Sequence, residues 1–176
     1  MSDKTILEQW RAIAYDQQAD RNKLQQFWAK YFNIEKNIYA QLLENPDEVV
    51  TGTVKELAEK YNQEVLTMVG FLDGINESLK GYENPIDTMA EDTVVKIEID
   101  PEKLYYNMVE AKASWLYELP QWSEILSAET RTELYKKQKA SGRAERCAGG
   151  EKKRAFCERY MLCLSQRGRD FCYRRL

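Results

Sequence analysis

Residues 53–75, Thr-Val-Lys-Glu-Leu-Ala-Glu-Lys-Tyr-Asn-Gln-Glu-Val-Leu-Thr-Met-Val-Gly-Phe-Leu-Asp-Gly-Ile, leave the chain few ways to fold. Thr53 and Glu56 stand at the Thr-x-x-Glu spacing of a capping box, in which the two side chains satisfy open amides of a first helical turn. Val54, Leu57, Ala58 and Tyr61 then recur at three- and four-residue steps. Leu66, Val69, Leu72 and Ile75 resume the pattern after Asn62-Gln63. A 3.6-residue period on both sides of a polar break predicts a short helix, a tight turn and a second amphipathic helix.

The flanking sequence continues in the same style. Residues 4–20 read as a helix with Ile6, Leu7, Trp10, Ile13 and Ala14 on one stripe. Residues 22–44 read as a longer one, carrying Leu24, Phe27, Trp28, Tyr31, Ile34, Ile38 and Leu42; Asn45-Pro46-Asp47 ends it, since a residue before proline is pushed out of the helical region. An aromatic stripe of this kind serves either as core or as a ligand or partner groove, and core is the ordinary use. Val49–Gly52 and Val94–Ile99 are the strand-like segments. Val95, Ile97 and Ile99 alternate with polar neighbours, so the two segments are expected to pair as a small ribbon. A loop over 81–91 contains Asn84-Pro85. Asp100 and Pro101 then start a helix expected to reach about Glu118, with Leu104, Met108, Ala111, Trp115 and Leu116 inward. Leu119–Trp122 turns the chain, and Ser127 begins a last helix that closes at Gly142. The expected fold is mostly α: a single-domain helical bundle of five or six helices over 1–142, with a helix-turn-helix-like hairpin and a minor two-stranded ribbon.

Charge and cysteine mark a boundary near residue 142. The formal net charge of −3 combines 16 basic and 25 acidic residues in 1–140 with ten basic and four acidic in 141–176. All four cysteines, Cys147, Cys157, Cys163 and Cys172, follow residue 146. Residues 143–176 are expected to be a basic, Cys-rich tail, poorly ordered or partly helical, with a possible helix at 151–164 carrying Phe156, Tyr160 and Leu164. The cysteines are separated by 9, 5 and 8 intervening residues, unlike the close pairs of a zinc knuckle, and read as free thiols rather than metal ligands.

The chemistry available is narrow. No histidine is present, which removes Ser-His and Cys-His nucleophile pairs and every His-containing metal site. No Gly-rich phosphate loop, Gly-x-Ser-x-Gly elbow or Cys-x-x-Cys occurs. Asp87, Glu118 and Glu124 lie near prolines and are conceivable acid/base groups, but carboxylates on solvated helix faces account for them, and the expectation is no enzyme. The hairpin has helix-turn-helix features, with small Ala58, Asn62 in the turn, and Met68, Val69 and Phe71 beyond it. Yet residues 64–79 carry Glu64, Asp73 and Glu77 and no Lys or Arg, which repels duplex DNA. No run approaches the ~20 apolar residues of a membrane span. The polar start, Met-Ser-Asp-Lys, carries no secretion signal, so a cytoplasmic protein without membrane contact is expected.

Three groups of residues carry a family resemblance: Val49–Tyr61, Met68–Asn76, and Tyr106–Ala113 followed by Trp115-Leu-Tyr117 and Leu119-Pro-Gln-Trp122. Over about residues 5–142 the chain resembles small bacterial helical proteins that usually end in an SEC-C motif, the zinc-binding tail first recognised at the C-terminus of the SecA translocase motor. The resemblance implies an interaction or adaptor protein with no assigned activity. It also implies a tail, Cys-Pro-Cys-Gly-Ser-Gly with a closing Cys-Cys or Cys-His pair, that would bind one zinc. That ending is missing here. Zinc is implied by the resemblance alone, no ligand carries over to the four cysteines, and a tail translated out of frame relative to the family's is one reading of the shift. The expected function is a cytoplasmic interaction or adaptor protein with protein partners, its metal-binding tail degenerate or lost. The alternative is a nucleic-acid-associated regulator using the hairpin and the tail residues Lys152, Lys153, Arg154, Arg167, Arg169, Arg174 and Arg175.

Overall fold

The structure is a computed structural model that describes residues 4–16, 18–81 and 83–144, the last four by backbone alone. The tail with its expected helix, its basic residues and all four cysteines lies outside the described residues. The chain divides into two compact units at Leu104/Tyr105, and each is treated by itself.

The first unit contains α1 (Ile6–Ala14), α2 (Arg21–Glu44), β1 (Val50–Thr53), α3 (Val54–Lys60), α4 (Val65–Ile75), β2 (Val94–Ile97) and the start of α5 (Pro101–Glu110). The fold is mostly helical with a two-stranded antiparallel ribbon, as the sequence implies. The capping box forms: Glu56 Oε2 accepts from the Thr53 amide at 2.8 Å, and Thr53 Oγ1 accepts from the Glu56 amide at 3.2 Å. A second box, not foreseen, starts α1, where Thr5 and Glu8 exchange the same two bonds at 2.8 and 3.2 Å. The helix expected over 4–20 stops at Ala14. Beyond it, Asp16 and Asp20 accept bonds from the backbone amides of Gln18 and Asn22, both at 2.9 Å, and so compete with helical bonding. Asp20 becomes the N-cap of α2.

The break between α3 and α4 falls where expected. Asn62 sits in the left-handed region (φ 53°), the Asn62 amide bonds to Glu59 O and the Gln63 amide to Ala58 O. These two bonds make a Schellman motif, and asparagine tolerates the conformation better than other non-glycine residues.

β1 and β2 pair from Val50↔Ile97 to Thr53↔Val94. Val95 and Ile97 point into the core and Val94 outward. The far edge of β2 is closed by an asparagine. Buried Asn84 accepts from the Lys96 amide at 3.0 Å through Oδ1 and donates to the Lys96 carbonyl at 3.1 Å through Nδ2. Antiparallel residues alternate between bonded and non-bonded positions, so Lys96 turns its polar groups away from β1 and a side-chain amide completes the ladder there. Asn76 in turn holds the Asn84 backbone, accepting from its amide at 2.9 Å. Beyond this, Leu79 bridges to Ile99.

α1 lies on α4, and the contact depends on Gly70. A Cβ there would come within 2.2–2.6 Å of three Trp10 ring atoms. Seven of the eleven α4 residues are buried, among them Met68, Val69, Phe71 and Leu72. Arg11 and Asp73 add an ion pair at 3.3 Å between the two helices.

The second unit holds the rest of α5, α6 (Ser114–Tyr117), α7 (Trp122–Ile125) and α8 (Ala128–Ala144). The continuous helix expected to Glu118 is broken: Lys112 takes a left-handed conformation (φ 56°), with the Lys112 amide bonded to Val109 O and the Ala113 amide to Met108 O. This is a second Schellman motif, formed without the glycine or asparagine that would have marked it. The described residues therefore contain eight α-helical segments, two of only four residues, rather than five or six. Trp122 is fully buried, donates to Leu116 O at 2.9 Å and meets Tyr105 edge-on at 5.2 Å. Ser127 starts α8 as expected, its hydroxyl accepting from the Thr130 amide at 3.1 Å, but the helix runs through Gly142 to Ala144.

Candidate functional site

The first unit carries an open groove of about 800 Å³. Its walls follow from the elements just described. α1 contributes Trp10 and Ile13, and α2 contributes Phe27, Lys30, Tyr31 and Ile34. The turn from α3 to α4 contributes Ala58, Glu59, Asn62, Gln63, Glu64, Leu66 and Thr67.

The aromatic stripe of α2 divides at this groove. Trp28, Tyr31, Phe32, Ile38 and Leu42 are buried, which is the core role; Phe27 and Ile34 are half-buried along the groove. One residue joins the two roles: the buried Trp10 ring lies 5.4 Å from Phe27 and 4.9 Å from Tyr31. Ile13 is 46 % exposed, a large apolar side chain left in solvent at the mouth. Full burial of such a side chain is worth about 1.5–3 kcal/mol, and roughly half of that remains to be gained by covering Ile13.

The polar residues sit on the rim. Lys30, Glu59, Asn62 and Glu64 are exposed, while Gln63 and Thr67 are half-buried. Among the described residues neither Glu59, Glu64 nor Lys30 forms an ion pair. The whole unit is acidic: residues 1–104 hold 20 acidic and 11 basic residues, whereas 105–140 hold five of each.

The residues considered for chemistry do not assemble. Asp87, in the first unit, is exposed, as are Glu118 and Glu124 in the second. Among the described residues no group of three or more His, Cys, Asp or Glu side chains could hold a metal ion. Cys147, Cys157, Cys163 and Cys172 lie outside the described residues, so the structure does not bear on them. The hairpin has the expected turn, but its second helix is not free: α4 is covered by α1 through the Trp10–Gly70 contact, and Asp73 is engaged by Arg11. Among the described residues no helix is long and apolar enough to cross a membrane.

Ile13 and Phe27 were visible as apolar positions, but their place at a solvent-open mouth depends on how α1 crosses α2 and α4, which no local pattern encodes. The chain matches no family model, no curated protein and no solved structure.

Proposed function

We propose that this is a cytoplasmic, non-enzymatic interaction or adaptor protein of the SEC-C-tailed type, its metal-binding ending degenerate or lost, and that the groove is its docking surface. The observation that carries this is the pairing of an apolar floor, to which Trp10, Phe27 and Ile34 contribute, with an exposed isoleucine at the mouth of the groove. Adaptor function asks only for such a complementary surface.

The test is site-specific photo-crosslinking in the native cells, with the crosslinker placed at Ile34 in the groove or at exposed Asn33 on the same helix. The expected result is one or a few discrete products from position 34, absent from position 33 and lost when Ile13→Asp is added. Equal, diffuse labelling from both positions refutes the reading.

The hairpin's turn geometry and the basic residues of 141–176 favour a nucleic-acid-associated regulator as the second reading. It ranks second because α4 is mostly buried and acidic. Under it, affinity for a nonspecific duplex falls steeply with salt and vanishes on deletion of 143–176. Salt-insensitive or absent binding eliminates it.

A further inference from the structure

We infer that the groove receives an α-helix of a partner protein whose edge facing the α3–α4 turn is basic; this rests on the groove being the docking surface. The walls are helical apart from the α3–α4 turn, and among the described residues no strand edge borders the groove, so a partner crossing its apolar floor finds no ladder to complete. An extended peptide would leave its own amides and carbonyls unsatisfied there. A helix arrives with them already bonded.

The dimensions agree. Phe27 and Ile34 are seven residues apart on α2, a rise of about 10 Å, which is also the span of apolar side chains at i, i+3 or i+4, and i+7 on a docking helix. A small molecule fits less well, because the charged lining residues of the described groove, Lys30, Glu59 and Glu64, all stand exposed on its rim.

Charge sets the orientation. Glu59 and Glu64 stand unpaired on the hairpin side of the groove and Lys30 on the α2 side, in a unit with 20 acidic against 11 basic residues. A partner helix complementary to this rim carries Lys or Arg along one edge and an acidic residue on the other.

A display library of random 16-residue peptides, selected on the full chain and counter-selected on the Ile13→Asp/Ile34→Asp variant, tests this directly. The variant is used only if its circular dichroism and melting match the parent; otherwise Ile13→Asp alone, at the exposed position, takes its place. The expected sequences have apolar residues at i, i+3 or i+4, and i+7 with an excess of Lys and Arg. Their binding should weaken about tenfold in Glu59→Lys/Glu64→Lys and return when the peptide's basic edge is made acidic. Proline-rich or extended sequences that still require Ile13 and Ile34, or helices indifferent to the charge reversal, overturn the inference while leaving the groove as docking surface. No enrichment also overturns the inference and leaves the crosslinking result to judge the groove. Enrichment untouched by the groove variant overturns both.

Discussion

Replacing Gly70 with alanine should unseat α1. The added Cβ would lie 2.2, 2.5 and 2.6 Å from Cε2, Cζ2 and Cδ2 of Trp10, where carbon atoms normally stay about 3.5–4 Å apart. Relief by side-chain rotation is blocked, because the Trp10 ring is only 3 % exposed and already lies against Phe27 and Tyr31. The helices must therefore separate by roughly 1 Å or more, and overpacking of this kind costs about 1–3 kcal/mol. If α1 detaches, the burial of Leu7 and Trp10 is forfeited as well, at about 1.5–3 kcal/mol for each side chain. Alanine's better helix propensity returns about 1 kcal/mol. The net loss should be about 2–4 kcal/mol, which for a chain of this size lowers Tm by roughly 5–15 °C. Urea denaturation followed by circular dichroism gives the total, and hydrogen exchange at the α1 amides shows whether the loss is local. Adding Trp10→Leu should make the pair less destabilising than the two single changes summed, by 1 kcal/mol or more. A Gly70→Ala protein as stable as the parent, or more stable by the propensity gain, would refute the packing argument.

Asn84→Ala should cost about 2–3 kcal/mol, because the Lys96 amide and carbonyl lose both partners at once; hydrogen exchange at Lys96 should accelerate well beyond that at Val95, and equal rates would refute the edge-closing role. Lys112→Gly should stabilise by up to about 1 kcal/mol, since glycine adopts the left-handed position without strain; a destabilised variant in chemical denaturation would argue against the motif. The hydroxyl pKa values of Tyr61, Tyr105 and Tyr117 all lie above the ordinary phenol value, chiefly through burial, with the Glu48 charge adding to the effect at Tyr61. A raised folded-state pKa contributes stability that is fully present below the unfolded value of about 10 and is lost as pH rises through the folded values. Absorbance titration at 295 nm should accordingly show part of the tyrosine ionising late and together with unfolding. Smooth ionisation of every tyrosine near pH 10 would refute it.

What could be read in advance was what is local. The Thr53–Glu56 box, the turn at Asn62 and the alternation of Val95, Ile97 and Ile99 each declare themselves within a few residues, and each formed. The break at Lys112 did not declare itself, because lysine is an ordinary helix residue and here takes the left-handed conformation usually left to glycine or asparagine. Asn84 looked like a loop residue before a proline; only the approach of Lys96, twelve positions away, turns its amide into a piece of sheet. The groove was half legible. Spacing places Phe27 and Ile34 on the apolar stripe of α2, but which part of that stripe stays open is decided by where α1 crosses it and by its end at Ala14, short of the periodicity over 4–20.

The start of α3 ties helix initiation to chain timing. Its first-turn amides are divided between near and distant partners: Glu56 bonds to the local Thr53 hydroxyl, whereas Val54 and Lys55 bond to the carbonyls of Thr93 and Glu91 at 3.1 and 3.0 Å. The local cap can form as soon as the segment exists, but the other two bonds wait for chain nearly 40 residues further on. At a synthesis rate of about 5–20 residues per second, that interval lasts a few seconds, during which α3 stands with part of its first turn open to water. The segment leading directly into the strand that closes the ribbon thus also completes the helix, and the two should form and melt as one cooperative step rather than in succession.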